Sequence, residues 1–500
     1  MTKRLFGHRP LLFMAVTFSL GILIGAACVS SLGAKIALFC LFVIAVTVLF
    51  SVKYVRKFAY LALCALIGFL AIIGAGDIYN SNVLKSGENI TLRGQVTSEI
   101  TLSDEFYFTI DSISVNGKSY SGQANVYFYS DDIDFRPGDY VEMKATVYTN
   151  EFNPFDSLFS SVFVKGSYYG VFTYSCYKIA DGKLDFFTDT ELKVKENFYT
   201  YTRPDTAEIA TALIFGDKST MNENLYDDVK VSGLAHVLAI SGLHISILAM
   251  FVSWILKKCR VKSVIRLAVV GVLLLIYLVF CGFASSAMRA FIMTMCLMGA
   301  RAFGKKPDYL SALSLAAIII MLINPVNLFA VGFQLSVLAV LGIMLLNKPI
   351  IKFFKRDNKF TQLVTTSLST NVMTYPVVAN VFGQFPVFFL ISNLIVLPLM
   401  SFIYIGVIIL TLFTLIIPLP QILIILDYLL IPFKATVMAL SSVAVASISA
   451  VGMGVFSIGY YLAIITSSRF IFARRDLKIK ISLLLLALFL ALSAVVNFAV

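Results

Sequence analysis

Apolar runs recur along most of the chain, and a polar stretch from residue 78 to about residue 230 interrupts them. A helix needs about 20 consecutive apolar residues to cross the hydrocarbon core of a bilayer. Thirteen runs of roughly that length can be traced, at residues 11–28, 36–52, 59–76, 236–256, 264–281, 286–302, 310–323, 329–346, 361–381, 386–417, 421–447, 452–468 and 481–499. The pattern predicts a mostly α fold, a polytopic membrane helical bundle of about 11–13 apolar helices.

The polar stretch begins with short segments of alternating polarity, which are typical of β-strands. Strands are expected at residues 90–100, 106–115, 123–129, 140–148 and 162–174. Asn116-Gly117 lies between two of these segments and is a strong hairpin signal. About five strands with Gly-containing turns predict an inserted small β-barrel that is OB-like.

Barrels of this type often bind single-stranded nucleic acid by stacking its bases on aromatic rings. The segments 106–108 and 127–129 offer such rings. However, residues 85–165 hold about twelve Asp and Glu against about six Lys and Arg, the wrong balance for a groove that follows phosphates. We therefore interpret the aromatic positions as core and sheet surface, and expect any nucleic-acid contact of this domain to be local.

Composition excludes an ordinary soluble protein. Hydrophobic residues make up 59% of the chain and charged residues 14%, whereas soluble proteins carry about 25% charged residues. Basic clusters fall on one side if the spans alternate, and the positive-inside rule makes that side the cytoplasm. The expected location is the cell inner (cytoplasmic) membrane, with the first run kept as an anchor, the N-terminus cytoplasmic and residues 78–185 extracytoplasmic. The net charge of +12 is then mainly a topology signal.

Two of the three histidines, His236 and His244, flank Ser241-Gly242 at the start of an apolar run. Such residues are costly in hydrocarbon unless they face protein or a water-filled path. Their spacing of eight turns the two imidazoles roughly 80° apart on a continuous helix, and no Cys, Asp or Glu in the segment completes a ligand set. We expect no metal and no cofactor here, and expect Ser241-Gly242 to break the helix or pack tightly.

Several motifs follow one another in a fixed order. They are ALIFGDK at 212–218, SGLAHVLAISGLH at 232–244, GFASSAMRA at 282–290, NP at 324–325, GFQLS at 332–336 and FGQFP at 382–386 with Asn393 after it, while PGD at 137–139 and NP at 153–154 with Asp156 lie in the polar stretch. Together they resemble the ComEC-type DNA-internalisation channels of natural competence over nearly the whole chain. The resemblance implies an inner-membrane channel for uptake of single-stranded DNA during natural transformation.

Many members of that family continue into a metallo-β-lactamase-like domain. This sequence has no His-x-His-x-Asp-His element, and three histidines cannot assemble such a two-metal site. We therefore expect no nuclease activity and no enzyme function. No phosphate-binding Gly-rich loop with Lys-Ser/Thr occurs either, so the resemblance implies a cytoplasmic helicase or translocase and an extracytoplasmic DNA receptor as partners, besides the lipid membrane. A separate nuclease and a homo-oligomer are left open.

A passage for a polyanion needs walls that donate hydrogen bonds and carry few acids. The candidate path residues are His236, Ser241, Gly242, His244, Ser285, Ser286, Arg289, Gln334, Ser336, Asn371, Tyr375, Gln384 and Asn393. Arg289 is the residue most suited to meet a phosphate. The alternatives are that Arg289 snorkels to the outer interface or caps a neighbouring helix, and that residues such as Asn371 only hold helices together.

A competing function is a polytopic membrane enzyme, or a small-solute or ion transporter, that uses the His236–His244 segment.

The expected regions are N-terminal transmembrane helices at 1–77, the OB-like domain at 78–185, a polar helical connector at 186–233 and a channel-type transmembrane domain at 234–500. Between 386 and 450, we expect the first run to divide near Pro398 or Ser401. The second run is expected to lie along the outer interface as an amphipathic helix.

Overall fold

A computed structural model describes residues 9–29, 31–51, 56–98, 101–102, 106–129, 134–149, 151–354, 358–443 and 447–449, together with 457, 460, 461 and 464. The predicted run at 481–499, most of that at 452–468, and the basic residues at 3–4 and 469–480 lie outside these described residues. The helices are α1 (Pro10–Ala27), α2 (Leu32–Ser51), α3 (Arg56–Asn82), α4 (Ser157–Val164), α5 (Phe186–Tyr201), α6 (Pro204–Phe215), α7 (Glu223–Val231), α8 (Ala235–Leu238), α9 (Gly242–Lys258), α10 (Ser263–Phe280), α11 (Ser285–Ala302), α12 (Tyr309–Ile323), α13 (Val331–Phe354), α14 (Lys359–Phe382), α15 (Phe389–Ile416), α16 (Ile425–Leu429) and α17 (Ile431–Ser441). The strands are β1 (Gly87–Val96), β2 (Thr101–Leu102), β3 (Phe106–Val115), β4 (Lys118–Ser119), β5 (Gln123–Phe128), β6 (Tyr140–Thr149), β7 (Ser167–Ala180), β8 (Gln384–Pro386) and β9 (Ser447–Ser449).

The chain divides into two compact units. Unit 1 comprises Met1–Asn197 and Ser253–Ala330, and unit 2 comprises Phe198–Val252 and Val331–Val500. Unit 1 holds α1 to α4, the large sheet and α10 to α12. Unit 2 holds α6 to α8, the first part of α9, and α13 to α17.

Five of the described helices contain stretches that are long and apolar enough to cross a membrane. These stretches are Pro10–Ala27, Ala59–Ser81, Ser263–Phe280, Val331–Lys352 and Phe389–Ile416. The pair Pro420–Leu429 and Ile431–Ser441, bent by 40°, makes a sixth if it is one broken span. Gly33–Thr47 and Tyr309–Ile323 are apolar but shorter. The protein is therefore a mostly helical membrane protein, while the total of 11–13 helices stays a prediction for the whole chain.

Glycines bring α1 and α3 into close contact within unit 1. A Cβ on Gly21 would overlap the carbonyl oxygen of Ala65, and one on Gly68 would overlap the carbonyl oxygen of Phe18. Small residues of this kind let two helix backbones approach where no hydrophobic effect drives helices together. The pairing of Gly21 with Ala65 and of Gly25 with Phe69 shows that the two helices run parallel.

The large sheet has seven strands in the order β1-β6-β7-β5-β3-β2, with β4 paired to β3 and an additional pairing between β1 and β3. All pairings are antiparallel except that of β5 with β7. Phe108 and Phe128 are buried in its core, whereas Tyr107 and Tyr127 lie on the opposite face with rings 5.3 Å apart. The interpretation of the aromatic segments as core and sheet surface is confirmed. The strand order does not by itself establish an OB-like barrel, which stays a prediction.

The hairpin expected at Asn116-Gly117 is confirmed, because both residues have positive φ (51° and 78°) and join β3 to β4. The expected strand at 162–174 was partly wrong. Residues 157–164 form α4, and β7 begins only at Ser167. Phe159 and Phe163, four residues apart, place their rings 5.8 and 5.5 Å from Tyr79, so the helical period of this aromatic pair overrides the apparent strand pattern.

The expected division of the run at 386–417 was also wrong. The α15 helix is continuous over 28 residues with Pro398 and Ser401 inside it. Proline removes one backbone donor, but neighbouring groups tolerate this loss inside an apolar helix. The run instead begins with β8, which pairs with β9. The following run at 421–447 forms α16 and α17, and nothing in the fold tests its expected position along the interface.

Candidate functional site

The break expected at Ser241-Gly242 is confirmed: α8 ends at Leu238 and α9 begins at Gly242. The Ser241 side chain accepts a hydrogen bond from the Leu243 backbone N–H at 3.2 Å. In return, the Nδ1 atom of His244 accepts from the Ser241 backbone N–H at 3.1 Å. This is a reciprocal capping arrangement in which histidine takes the position usually held by Glu or Gln. A neutral imidazole can therefore cap this helix without a carboxylate.

The His244 ring is fully buried and lies 4.6 Å, centroid to centroid, from the buried ring of Tyr404 on α15. Because Nδ1 accepts a hydrogen bond, the neutral ring carries its proton on Nε2. Nε2 is buried and has no hydrogen-bond partner among the described residues. The capping bond thus fixes both the tautomer and the direction of this nitrogen.

The turn before α8 meets the start of α15. Gly233 has φ +79°, and a Cβ there would lie 3.2 Å from the Phe389 Cα atom and from the Pro386 side chain. The Ser392 hydroxyl donates to the carbonyl oxygen of Ser232 at 2.5 Å. The sequence motifs at 232–244 and at 382–393 therefore come together in unit 2.

A third motif joins the same cluster. Gly216 ends α6 in the left-handed conformation, with its N–H bonded to the carbonyl of Ala212. A Cβ on Gly216 would lie 2.8 Å from the Ile240 side chain, so the glycine permits close contact with the segment before α9. Beyond it, Asp217 accepts hydrogen bonds from the backbone N–H and hydroxyl of Ser219 and shapes the turn.

Asn393 connects this cluster to α14. Its side-chain amide donates to the Ser367 hydroxyl at 3.0 Å, and its Oδ1 atom is buried without a partner among the described residues. Asn371 donates to the carbonyl of Ser367, one turn earlier in its own helix. The α14 helix also carries buried Thr365 and Ser369. Unit 2 thus contains a seam of neutral hydroxyl and amide groups.

The other unit 2 candidates lie on α13, α14 and β8. Tyr375 places its ring 5.2 Å from Phe385 and 6.4 Å from Tyr460. Gln384 is exposed on β8, while Gln334 and Ser336 are half-buried in the first turns of α13.

Ser285, Ser286 and Arg289 belong to unit 1. They lie in the first two turns of α11, and Arg289 is buried, with 6% of its surface exposed. Its Nη1 atom lies 3.6 Å from the sulfur of Met293. The guanidinium is therefore enclosed by protein, which argues against the snorkelling alternative.

The two histidines have different surroundings, since His236 is exposed on α8 whereas His244 is buried. In the described part of the chain, no group of three or more His, Cys, Asp or Glu side chains is arranged to hold a metal ion.

Asp139 of the PGD motif is a structural group of the sheet. Its carboxylate accepts from the Arg136 N–H at 2.9 Å and contacts Lys178 Nζ at 3.0 Å. Burial alone would raise the pKa of Asp139, but these donors outweigh burial and hold that pKa below its ordinary value. Gly138, with φ +102°, donates its N–H to the Val96 carbonyl. The motif thus ties the start of β6 to the end of β1.

The cluster includes polar residues that were not among the candidates from sequence, among them Ser232, Ser367, Ser392 and Tyr404. Ser232 opens a motif that was noted, and Ser392 precedes Asn393, so both carried a local signal. Ser367 and Tyr404 carried none, because isolated hydroxyls are common in membrane helices.

These features define a polytopic helical membrane protein with an inserted seven-stranded sheet and a polar cluster in its second unit. The chain belongs to the competence protein family, whose family model matches residues 213–493.

Individual relatives share parts of the chain. It is similar to ComE operon protein 3 of Bacillus subtilis, with 27% identity over 215 residues, which cover 42% of this chain and 27% of that protein. It is also similar to the uncharacterized protein MG316 of Mycoplasma genitalium, with 32% identity over 190 residues, which cover 38% of this chain and 48% of that protein. The matches thus span about half or less of these relatives. No solved structure matches the chain.

Proposed function

We propose that this protein is a channel in the cytoplasmic membrane that carries a single strand of DNA inward during natural transformation. Membership of the competence protein family is the observation that carries the proposal. The meeting of the three motifs at 212–218, 232–244 and 382–393 supports it, because residues up to about 180 positions apart in the sequence form one cluster.

The chemistry of the cluster suits a polyanion. Its side chains are imidazole, hydroxyl and amide groups, which can donate hydrogen bonds without binding a strand so tightly that it stalls. His244 is fully buried and Asn393 is 6% exposed, so neither can touch a strand in this conformation. We take the described conformation to be a closed state. Opening of unit 2 would expose both His244 and Asn393.

The proposed topology places the large sheet outside the cytoplasm. The turns at 259–262 and 303–308 are rich in Lys and Arg, and the positive-inside rule makes their side cytoplasmic. We further propose that the sheet is an OB-like barrel, because the pairings β1–β3, β3–β5, β5–β7, β7–β6 and β6–β1 return to the first strand.

The chain would act without catalysis of its own. A cytoplasmic helicase or translocase would pull the strand, and an extracytoplasmic receptor would deliver it. Exposed rings on the outer face of the sheet, including Tyr129, Tyr148 and Tyr174, offer the local stacking contact that an acidic domain can still make.

The alternative, a membrane enzyme that uses the histidine segment, draws on one observation. The Ser241 hydroxyl lies 3.3 Å from His244 Nδ1, as in a nucleophile–base pair. However, that nitrogen already accepts the Ser241 backbone N–H, and Nε2 has no acidic partner in the described residues to orient it. Helix capping accounts for the same contacts without chemistry.

The test is import of labelled DNA into protoplasts of a competent strain that carries single substitutions. We expect Arg289→Ala and His244→Ala to abolish import while surface binding and membrane insertion persist. His244→Gln keeps an acceptor at the capping position and should restore import. Lys193→Ala, at an exposed pair on α5, is the matched control. Normal import in both alanine variants would overturn the assigned roles.

A further inference from the structure

One end of the unit 1 helices collects basic side chains. The four-residue turn 281–284 joins α10 to α11, so the start of α10 and the end of α11 lie at the same end of the hairpin. The end of α9 and the start of α12 join them through the turns 259–262 and 303–308. Arg9, before α1, reaches the same end, because its Nε atom lies 3.2 Å from Asp308.

This end is strongly cationic. Its basic residues are Arg9, Lys257, Lys258, Arg260, Lys262, Arg266, Arg301, Lys305 and Lys306, and its acid is Asp308. The opposite end of α10 to α12, at residues 281–284 and 324–330, holds no charged residue. Seven of the nine basic residues are exposed, and Arg9 and Arg266 are half-buried. The cations therefore form an accessible surface.

The turns 259–262 and 303–308 have the same backbone geometry but carry different residues at the left-handed position. Each preceding helix ends in a pair of reversed hydrogen bonds. In α9 the N–H groups of Arg260 and Val261 donate to the carbonyls of Lys257 and Leu256. In α11 the N–H groups of Gly304 and Lys305 donate to the carbonyls of Arg301 and Ala300. The left-handed residue is Gly304 in one turn, with φ +68°, and Arg260 in the other, with φ +58°. Glycine is the residue that adopts this conformation without strain. Arg260 in this conformation therefore costs some stability, while its side chain is exposed at the turn.

The cationic end adjoins a lipid-facing surface. The outer face of α10 exposes large apolar side chains, among them Val264, Ile265 and Val272. Trp254, on the last turns of α9, is 53% exposed, and Lys258 Nζ lies 4.4 Å from the centroid of its ring. Tryptophan and basic residues at a helix end mark the headgroup level of a bilayer. A ligand there would have its apolar part along α10 and its negative charge at the turn.

We propose that residues 257–262, here called the basic turn, bind the headgroups of anionic phospholipids. Lys257, Arg260 and Lys262 supply the charge, and Trp254 lies at the headgroup level, where the acyl chains begin. The site goes beyond the proposed function and does not depend on DNA import. A basic side chain near an anionic surface contributes about a fivefold enrichment of the negative lipid.

Trp254 is the only tryptophan of the chain, so its fluorescence reports on this site alone. The full chain would be reconstituted in vesicles of zwitterionic phosphatidylcholine and anionic phosphatidylglycerol at a fixed ratio. Brominated acyl chains, which quench tryptophan on contact, would be carried by one lipid or by the other. We expect quenching several times stronger when the bromine is on the anionic lipid, and we expect high salt to remove the difference.

The test variant is Lys257→Gln/Arg260→Gln/Lys262→Gln, which leaves the Lys258–Trp254 contact in place. Its preference for the anionic lipid should fall severalfold, while the basic residues that remain at this end keep part of it. The matched control, Lys85→Gln/Lys118→Gln/Lys144→Gln, removes three exposed charges in or just before the sheet and should keep the preference.

Equal quenching in the wild-type protein would overturn the proposal, and so would a preference that is undiminished in the test variant or at high salt. If the lipids quench equally but a single-stranded oligonucleotide changes Trp254 emission, the basic turn binds nucleic acid and the lipid proposal is wrong. The salt titration of the wild-type protein keeps the test decisive if the test variant fails to fold.

Discussion

Replacing Gly233 by alanine tests whether the turn before α8 is held against the start of α15. The substitution has two costs in this structure. The φ of +79° disfavours an L side chain by about 1 kcal/mol. The new Cβ would also lie 3.2 Å from the Phe389 Cα atom, which is backbone and cannot rotate away. Overpacking of this kind costs about 1–3 kcal/mol, so the total is about 2–4 kcal/mol.

Gly383→Ala is the matched control in the same unit. Gly383 has φ +62°, and a Cβ there would meet no heavy atom within 4 Å, so only the cost of about 1 kcal/mol applies. The assay is the fraction of full-length protein in detergent that stays monodisperse after heating. We expect Gly233→Ala to lower the midpoint temperature two to four times as much as Gly383→Ala, in line with the ratio of these costs. Equal shifts would refute the packing of this turn on α15.

Three further predictions concern contacts that can be separated by design. A double-mutant cycle of Asn393→Ala and Ser367→Ala should give a coupling free energy of about 0.5–1.5 kcal/mol from their 3.0 Å hydrogen bond, and a value near zero would contradict it. Lys434→Met should destabilise unit 2 by about 0.5–1 kcal/mol at low salt and less at high salt, because the 2.8 Å pair with Asp205 is partly exposed; a loss that salt does not change would argue against this origin. Since the pKa of Asp139 is lowered in the fold, its stabilisation is present above the ordinary pKa of about 3.9 and is lost as the pH falls below it. Asp139→Asn should remove that part of the acid sensitivity in a pH series of unfolding, and an unchanged series would contradict the prediction.

The sequence predicted the features that have a local physical cause. The break at Ser241-Gly242 follows from capping residues at the start of an apolar run, and the hairpin at Asn116-Gly117 follows from two residues that tolerate positive φ. Burial of alternate aromatic residues such as Phe108 and Phe128 follows from the period of a strand.

Other features depend on partners that are distant in sequence. The helix at 157–164 could not be told from a strand without Tyr79, against which its rings pack. Pro398 lies inside α15, and a proline is tolerated within an apolar helix where other groups satisfy the freed carbonyl, so the proline alone could not show whether the helix continues. Likewise, Tyr404 became part of the site only through its contact with His244, which lies 160 positions earlier in the sequence.

The central claim, that this chain passes a strand of DNA into the cytoplasm, is tested most directly by deleting its gene in a naturally transformable strain. Labelled DNA would then be followed from the cell surface to a nuclease-protected cytoplasmic pool, with electroporated DNA as the control for recombination. If the chain carries DNA inward, surface binding and recombination of electroporated DNA persist in the deletion strain, the protected pool disappears, and the wild-type gene restores it. A protected pool that fills normally without the chain would contradict the account.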